Sequence, residues 1–277
     1  MSVYDLGKRR GAVRPSPLFL AFAAAAALGG ALAWVETDQG SRLGDFAVFV
    51  FVLAGWIVSV CFHEFAHAYA AYRAGDRSVE AAGYLTLNPF KYTHPVLSIL
   101  LPLFFIVSGG IGLPGGAVYL HPHAFRSKAS RSAAAAAGPL TNLIFAIVLL
   151  LLAKPHLADI TAYLLAGGGV ENHARFWCAV AFLGFLQATA AVLNLLPVPG
   201  LDGYAIIEPY LDPETRRIGD KVKPWGMLGV IVLLLYVDRL NSEFFSFVNW
   251  ICERTGASQL LWVAGREFFR FWVKMPF

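Results

Sequence analysis

The sequence predicts an all-α integral membrane protein, a polytopic bundle of about five to six transmembrane helices interrupted by one irregular or re-entrant segment. Three observations lead there. The chain is 57% hydrophobic and only 14% charged, with a mean hydropathy of +0.59. Soluble domains run nearer half apolar and about a quarter charged. Five apolar runs approach the roughly 20 residues that a helix needs to cross about 30 Å of hydrocarbon. Lys and Arg flank those runs rather than interrupt them, as they do where basic loops set the orientation of a membrane protein.

The five runs are 18–35, 46–72, 132–153, 176–196 and 224–237, the last short but adequate with some tilt. The basic start "MSVYDLGKRRGAVRPSP" shows no cleavage site, so the first run reads as a retained helix. Lys8, Arg9, Arg10 and Arg14 place the N-terminus in the cytoplasm, and the acidic linker 36–45 then lies outside. Arg73 and Arg77 bring the second run back inside. Arg216, Arg217, Lys221 and Lys223 require the fourth to end there as well.

The stretch "PVLSILLPLFFIV" (95–107) fits less simply. It is short, broken by Pro102, preceded by Arg77 and Lys91 and followed by Arg126, Lys128 and Arg131. Basic residues on both sides make 95–116 a segment that enters and leaves on the cytoplasmic face. Irregular backbone is tolerated at that depth only inside protein or along a watery cavity. The alternative is a plain span, which would invert everything after it. Beyond Asp238, aromatics mixed with Arg and Lys suit interfacial helices, with a sixth span as the alternative.

Composition also excludes some classes. The net charge of +4 and pI near 9.0 belong to loop residues, and no nucleic-acid-binding motif is visible. Cys61, Cys178 and Cys252 lie far apart within apolar segments and read as buried free thiols, not a disulfide framework.

Chemistry concentrates in "FHEFAHAYAAYRAG". His63 and His67 are four apart, so on a helix they share one face about 6 Å apart along the axis. Both imidazoles can then reach one metal ion, and Glu64 can take a proton from water beside it. Zinc suits such ligands and keeps a position open when it is catalytic. The bland alternative is two interfacial histidines with a snorkelling Glu. Depth weighs against it: Arg73 lies ten residues on, roughly 15 Å of helix, which puts the histidines inside the bilayer, where ionisable groups are expensive and usually functional. A third ligand is needed. Asp202 stands in an apolar setting, "NLLPVPGLDGYAII", after a run broken by Pro197, Pro199 and Gly200. Two readings stand for it: a metal ligand at a helix break, or the N-cap of a short helix.

Other residues carry weaker signals. Asn142 reads as interhelical glue or as facing the site. His121 and His123 read as an interfacial loop, with a second metal as the alternative, and His94, His156 and His173 as loop residues. Trp34 and Trp225 read as interface anchors.

"HEFAH" (63–67), "GPLTN" (138–142) and "NLLPVPGLDG" (194–203) together resemble the site-2 protease family of intramembrane zinc metalloproteases. "GYLTLNPFKYTHPVLSILLP" (83–102) looks like the segment after the metal helix in its small bacterial members. The resemblance spans roughly residues 50–209. It implies that His63, His67 and Asp202 bind Zn2+, that Glu64 is the general base, and that Asn194 steadies substrate or oxyanion. It also implies a hairpin at 95–116 and proteolysis of a membrane-protein substrate within the lipid bilayer, at the cell membrane of a bacterium. His94 stands where small relatives often carry Asp, and neither a PDZ nor a CBS insertion is seen. The expected organisation is an N-terminal segment and first helix (1–45), a catalytic membrane core (46–210), and a loop, last membrane helix and interfacial helices (211–277). The competing class is a zinc-binding membrane transporter or sensor, which uses the ligands without Glu64 chemistry.

Overall fold

The computed structural model describes residues 13–38, 40–92, 121–166 and 173–273; the expected re-entrant segment 95–116 and His94 lie outside the described residues. Five of the ten α-helices among the described residues begin at a residue whose side chain caps them. Helix α1 (Pro17–Val35) starts with Ser16, whose hydroxyl accepts the Phe19 N–H, and with Pro17 at its first position. Helix α2 (Arg42–Ala74) is capped by Ser41 through the Gly44 N–H. It runs 33 residues and stops at Gly75, whose φ of 123° suits glycine alone. A single turn, α3 (Ser78–Ala81), follows. Helix α4 (Lys128–Ala153) opens on a reciprocal cap between Ser127 and Ser130. The remaining helices are α5 (Leu157–Ala166), α6 (Ala174–Asn194), α7 (Asp202–Ile207), α8 (Pro213–Tyr236), α9 (Asp238–Arg254) and α10 (Gln259–Phe269).

Among the described residues, four helices are long and apolar enough to cross a membrane: Pro17–Val35, Arg42–Ala74, Lys128–Ala162 and Ala174–Asn194. They coincide with the first four expected runs, and the third continues α4 into α5 through a 3-10 turn. The fifth expected run, 224–237, falls mainly in the second half of α8. The first half of that helix carries Glu214, Arg216, Arg217, Asp220, Lys221 and Lys223, which keeps α8 out of that set. Helix α8 breaks at Val237, and the Asn241 amide donates to the Leu234 carbonyl freed there, at 2.9 Å.

Helix α6 is the centre of the bundle. Nearly every residue along it is buried, as expected of a helix apolar all round. Helices α2 and α4 pack on it, and α10 closes it with Trp262 stacked on Phe185 and Phe269 set against Phe182. Small residues allow close approach. Gly29 of α1 lies against the backbone of Ala47 and Phe51, where a side chain would not fit.

Arg73, Arg77, Arg131, Arg216 and Arg217 lie toward the end where α2 stops and α4 begins, while Arg42, Lys154 and Arg175 lie toward the opposite end. The Ser16 N–H bonds the Thr86 carbonyl, Gly75 abuts the Ala124 carbonyl, and Ser132 donates to the Ile206 carbonyl. Asp76, Ser78 and His121 tie the end of α2 to the approach to α4. The Ser78 hydroxyl bonds Asp76, and the His121 N–H donates to Asp76 at 2.9 Å. Burial works to raise the Asp76 carboxyl. Hydrogen bonds from the Ser78 hydroxyl and the N–H groups of His121 and Ser78 win, and hold it below the usual carboxylate range. At the other end, His156 stacks on Trp177 and His173 on Trp34, so both of these loop histidines have aromatic partners.

Candidate metal centre

Helix α2 presents His63, Glu64 and His67 to the interior, all three buried. The i, i+4 spacing sets the two imidazoles on one face, with their Nε2 atoms 3.1 Å apart. Asp202 joins them from 135 residues further on. Its Oδ2 lies 3.3 Å from each Nε2. Among the described residues, His63, His67 and Asp202 form the one group of three side chains with donor atoms converging as a metal requires.

The spacing bears directly on the metal. Ligands about 2.0–2.1 Å from a tetrahedral zinc stand about 3.3–3.4 Å apart. All three observed separations fall at or just below that value. The tautomer agrees as well: His67 Nδ1 lies 2.8 Å from the Ala134 carbonyl, which can only accept, so the proton sits on Nδ1. The Nε2 lone pair is left pointing at the convergence point. Such an outer hydrogen bond is what a ligating imidazole ordinarily makes. His63 Nδ1 is buried and has no such partner among the described residues. The residues present therefore fit a zinc ion.

Local backbone explains how Asp202 arrives. Helix α6 ends at Asn194, and the chain turns through Gly200 at a φ of 102°. Leu201, not Asp202, takes the N-cap position of α7, without a side-chain capping bond. The N-cap reading of Asp202 therefore does not hold: the carboxylate is turned toward the imidazoles. Gly203 makes the fold-back possible, since a Cβ there would collide with the Leu195 and Leu196 carbonyls. Helix α8 backs this loop, with Gly226 against the Pro199 carbonyl.

Helix α4 supplies two features that local reading of the sequence missed. One is the Ala134 carbonyl. The other is Gly138, where any Cβ would fall on Nε2 of His67 and within 2.7 Å of His63 Cε1 and Nε2. Glycine here clears the space between the two rings. Its sequence signal was "GPLTN", legible only as part of a family pattern.

Glu64 is 1% exposed, with Oε1 4.0 Å from His63 Nε2. Asn194 is buried at the end of α6. Asn142 is buried one turn beyond Gly138, with Oδ1 unpaired among the described residues. Above the site, Gln187 donates to Ser59 at 2.7 Å and braces α6 against α2. Cys61, Cys178 and Cys252 are free and buried.

Known proteins carry the same arrangement of sequence. Residues 50–167 match peptidase family M50. The protein named zinc metalloprotease Rip2 of Mycolicibacterium smegmatis is 49% identical over 95% of this chain and 96% of its own. This chain belongs to peptidase family M50. Rip2 of Mycobacterium tuberculosis is 48% identical over 95% of this chain and 96% of its own. The zinc metalloprotease named YwhC of Bacillus subtilis is 31% identical over 74% of this chain and 86% of its own. No solved structure matches the M50 chain. Membership bears out the resemblance to the site-2 proteases, and the matched segment contains both α2 histidines and Gly138.

Proposed function

We infer that this chain is a zinc-dependent intramembrane endopeptidase whose ion is held by His63, His67 and Asp202. One observation carries the ligand assignment: two imidazole nitrogens and a carboxylate oxygen meet at 3.1–3.3 Å in a buried site. Membership of family M50 supports the activity.

When bound, zinc supplies a Lewis acid that acidifies water and polarises the scissile carbonyl. The chain's own groups do the rest. Glu64 Oε1 takes the proton of the attacking water and returns it to the leaving amine. The Ala134 carbonyl holds the His67 proton on Nδ1 and so keeps Nε2 free for the ion. Asn194 steadies the substrate carbonyl from the end of α6. The apolar walls of α2, α4 and α6 restrict water to the site, which strengthens each of these interactions.

The substrate is a membrane protein cut in or near a transmembrane helix. A helix hides its carbonyls in its own hydrogen bonds and must unwind locally before hydrolysis. The enzyme is a multi-pass protein of a bacterial cell membrane with its N-terminus in the cytoplasm. The basic end formed by Arg73, Arg77, Arg131, Arg216 and Arg217 supports that orientation. In this reading residues 46–210 are the catalytic membrane core, 1–45 the N-terminal segment and first membrane helix, and 211–277 the cytoplasmic loop, last membrane helix and interfacial helices. The zinc transporter or sensor predicts several polar half-sites along a path, and no observation favours it.

The test compares membrane fragments by proteomics in cells carrying the wild type or Glu64→Gln. Shortened membrane proteins that vanish with Glu64→Gln, while the variant retains its zinc, are the expected result. Undiminished cleavage by Glu64→Gln would remove the general base from this account.

A further inference from the structure

A second polar feature lies at the basic end of the bundle, between α4 and the first turns of α8. A cavity of about 320 Å³ is bordered there by Arg131, Arg216, Arg217, Glu208, Asp220 and Pro213. Glu208 is buried and neutralised twice, by Arg131 Nη2 and Lys223 Nζ, each at 2.9 Å. Lys223 also reaches Asp220 at 2.7 Å. Both carboxylates of the cavity are thus paired with Arg131 and Lys223, and Arg216 and Arg217 remain as surplus positive charge. Arg216 Nε is buried and has no hydrogen-bond partner among the described residues. Leaving such a donor unmatched is expensive, and more so on a charged group. A rotation of the side chain would turn this donor into the cavity, where an oxyanion would meet it.

We propose that this cavity binds a phosphate group through Arg216 and Arg217, supplied by an anionic lipid headgroup or by a free phosphate. Guanidinium is the side chain suited to this, because its planar fork matches two oxygens of one phosphate. The surrounding surface favours the lipid source. Ile218, Val222 and Trp225 stand 57%, 41% and 68% exposed at i, i+4 and i+7, an apolar stripe on one face of α8. Tyr210, 60% exposed, has the Lys128 ammonium 6.0 Å above its ring. Exposed Trp and Tyr beside Lys mark headgroup level in membrane proteins. Glu208 begins the 3-10 turn directly after α7. A phosphate here therefore joins α4, α8 and the turn behind Asp202 at the membrane surface. The proposal rests on the membrane reading of the chain and not on its zinc chemistry.

The test uses the full-length protein in nanodiscs of phosphatidylcholine alone or mixed with phosphatidylglycerol, with retained lipid read by native mass spectrometry. In separate samples inorganic phosphate is added in the aqueous phase. Wild type is expected to retain phosphatidylglycerol. The Arg216→Gln/Arg217→Gln variant is expected to lose about thirtyfold in that affinity, from the rough worth of one basic side chain at an anionic surface taken twice. Arg254→Gln, a basic change at the far end of α9, should leave retention unchanged. If inorganic phosphate binds in an arginine-dependent way while lipid retention does not depend on the arginines, the site stands with free phosphate as its source. Equal phosphatidylglycerol retention by wild type and double variant, with no phosphate binding to either, overturns the proposal. Bound zinc per chain reports folding independently of the lipid readout. Should the double variant lose its zinc, Arg217→Gln alone, at an exposed position, replaces it and is judged by the same two outcomes.

Discussion

Helix α2 carries a buried charged cluster near each end, and the two are built in opposite ways. Near its start, Arg175 is only 1% exposed and all of its nitrogens are engaged. Nε donates to Asp45 at 3.1 Å, and the terminal nitrogens donate to the Glu36 and Asp38 carbonyls, each at 2.7 Å. The Phe268 ring lies 5.2 Å from the guanidinium carbon, and Gly44 makes room for the group. Eighteen residues along, about 27 Å of helix, the metal cluster directs acceptor atoms at one another. Two imidazole nitrogens and a carboxylate oxygen crowd a point that no other side chain fills among the described residues. A closed network of donors and acceptors holds the fold, whereas converging lone pairs call for an ion.

The largest effects should follow from spoiling the open cluster. Gly138→Ala introduces a methyl between the rings and should abolish stoichiometric zinc, read by atomic absorption on purified protein, as should Asp202→Asn. Glu64→Gln should keep the zinc and lower turnover by about 10²–10⁴-fold, the usual range for a lost general base. Zinc bound normally by Gly138→Ala would show that the rings part further than the present geometry allows. That would weaken the contrast between the clusters.

The closed cluster should respond in stability and leave metal stoichiometry alone. Arg175→Met leaves the half-buried Asp45 and the Glu36 and Asp38 carbonyls without their donor and should cost about 1–3 kcal/mol, seen as a lower midpoint of thermal unfolding in detergent. Replacing Asp45 by Leu in the same chain should recover part of the loss, because no unpaired charge then remains. Zinc content that falls along with stability would show that the two ends of α2 are coupled.

The Asp76 clamp gives a smaller, pH-dependent effect. Its carboxyl is held below the usual range, so the stability it contributes is present at neutral pH. That contribution is lost as pH falls through the folded value. Wild type and Asp76→Asn should differ most in unfolding midpoint near neutral pH and converge in acid. Curves separated by a constant amount would mean that the carboxylate charge plays no part. Smallest of all, Ser127→Ala removes the α4 cap, away from both clusters, and should cost about 1 kcal/mol with zinc and pH profile unchanged.

Much of the bundle was legible because a bilayer allows few solutions. Apolar length identified the four long helices to within a few residues, and Ser16, Ser41 and Ser127 each stand one residue before a helix start. The i, i+4 histidines were equally legible, because helical spacing alone puts them on one face. The α8 run was less so, since its apolar half looked like a span until the charged half proved continuous with it. Arg175 gave no signal as the core of a network, because three of its partners come from the stretch 36–45, more than a hundred residues away.

The sequence by itself determined that this chain is a helical membrane protein, where its long helices run, and that His63 and His67 share one face with Glu64 beside them. These are matters of local period and composition, carried by neighbours a turn apart. Tertiary structure alone decided that Asp202 is turned to the imidazoles and not to the cap of α7. It alone decided that Gly138 opens the space between the rings and that the Ala134 carbonyl orients one of them. Those choices depend on how helices far apart in the chain pack, and no local pattern of residues encodes a distance across a bundle.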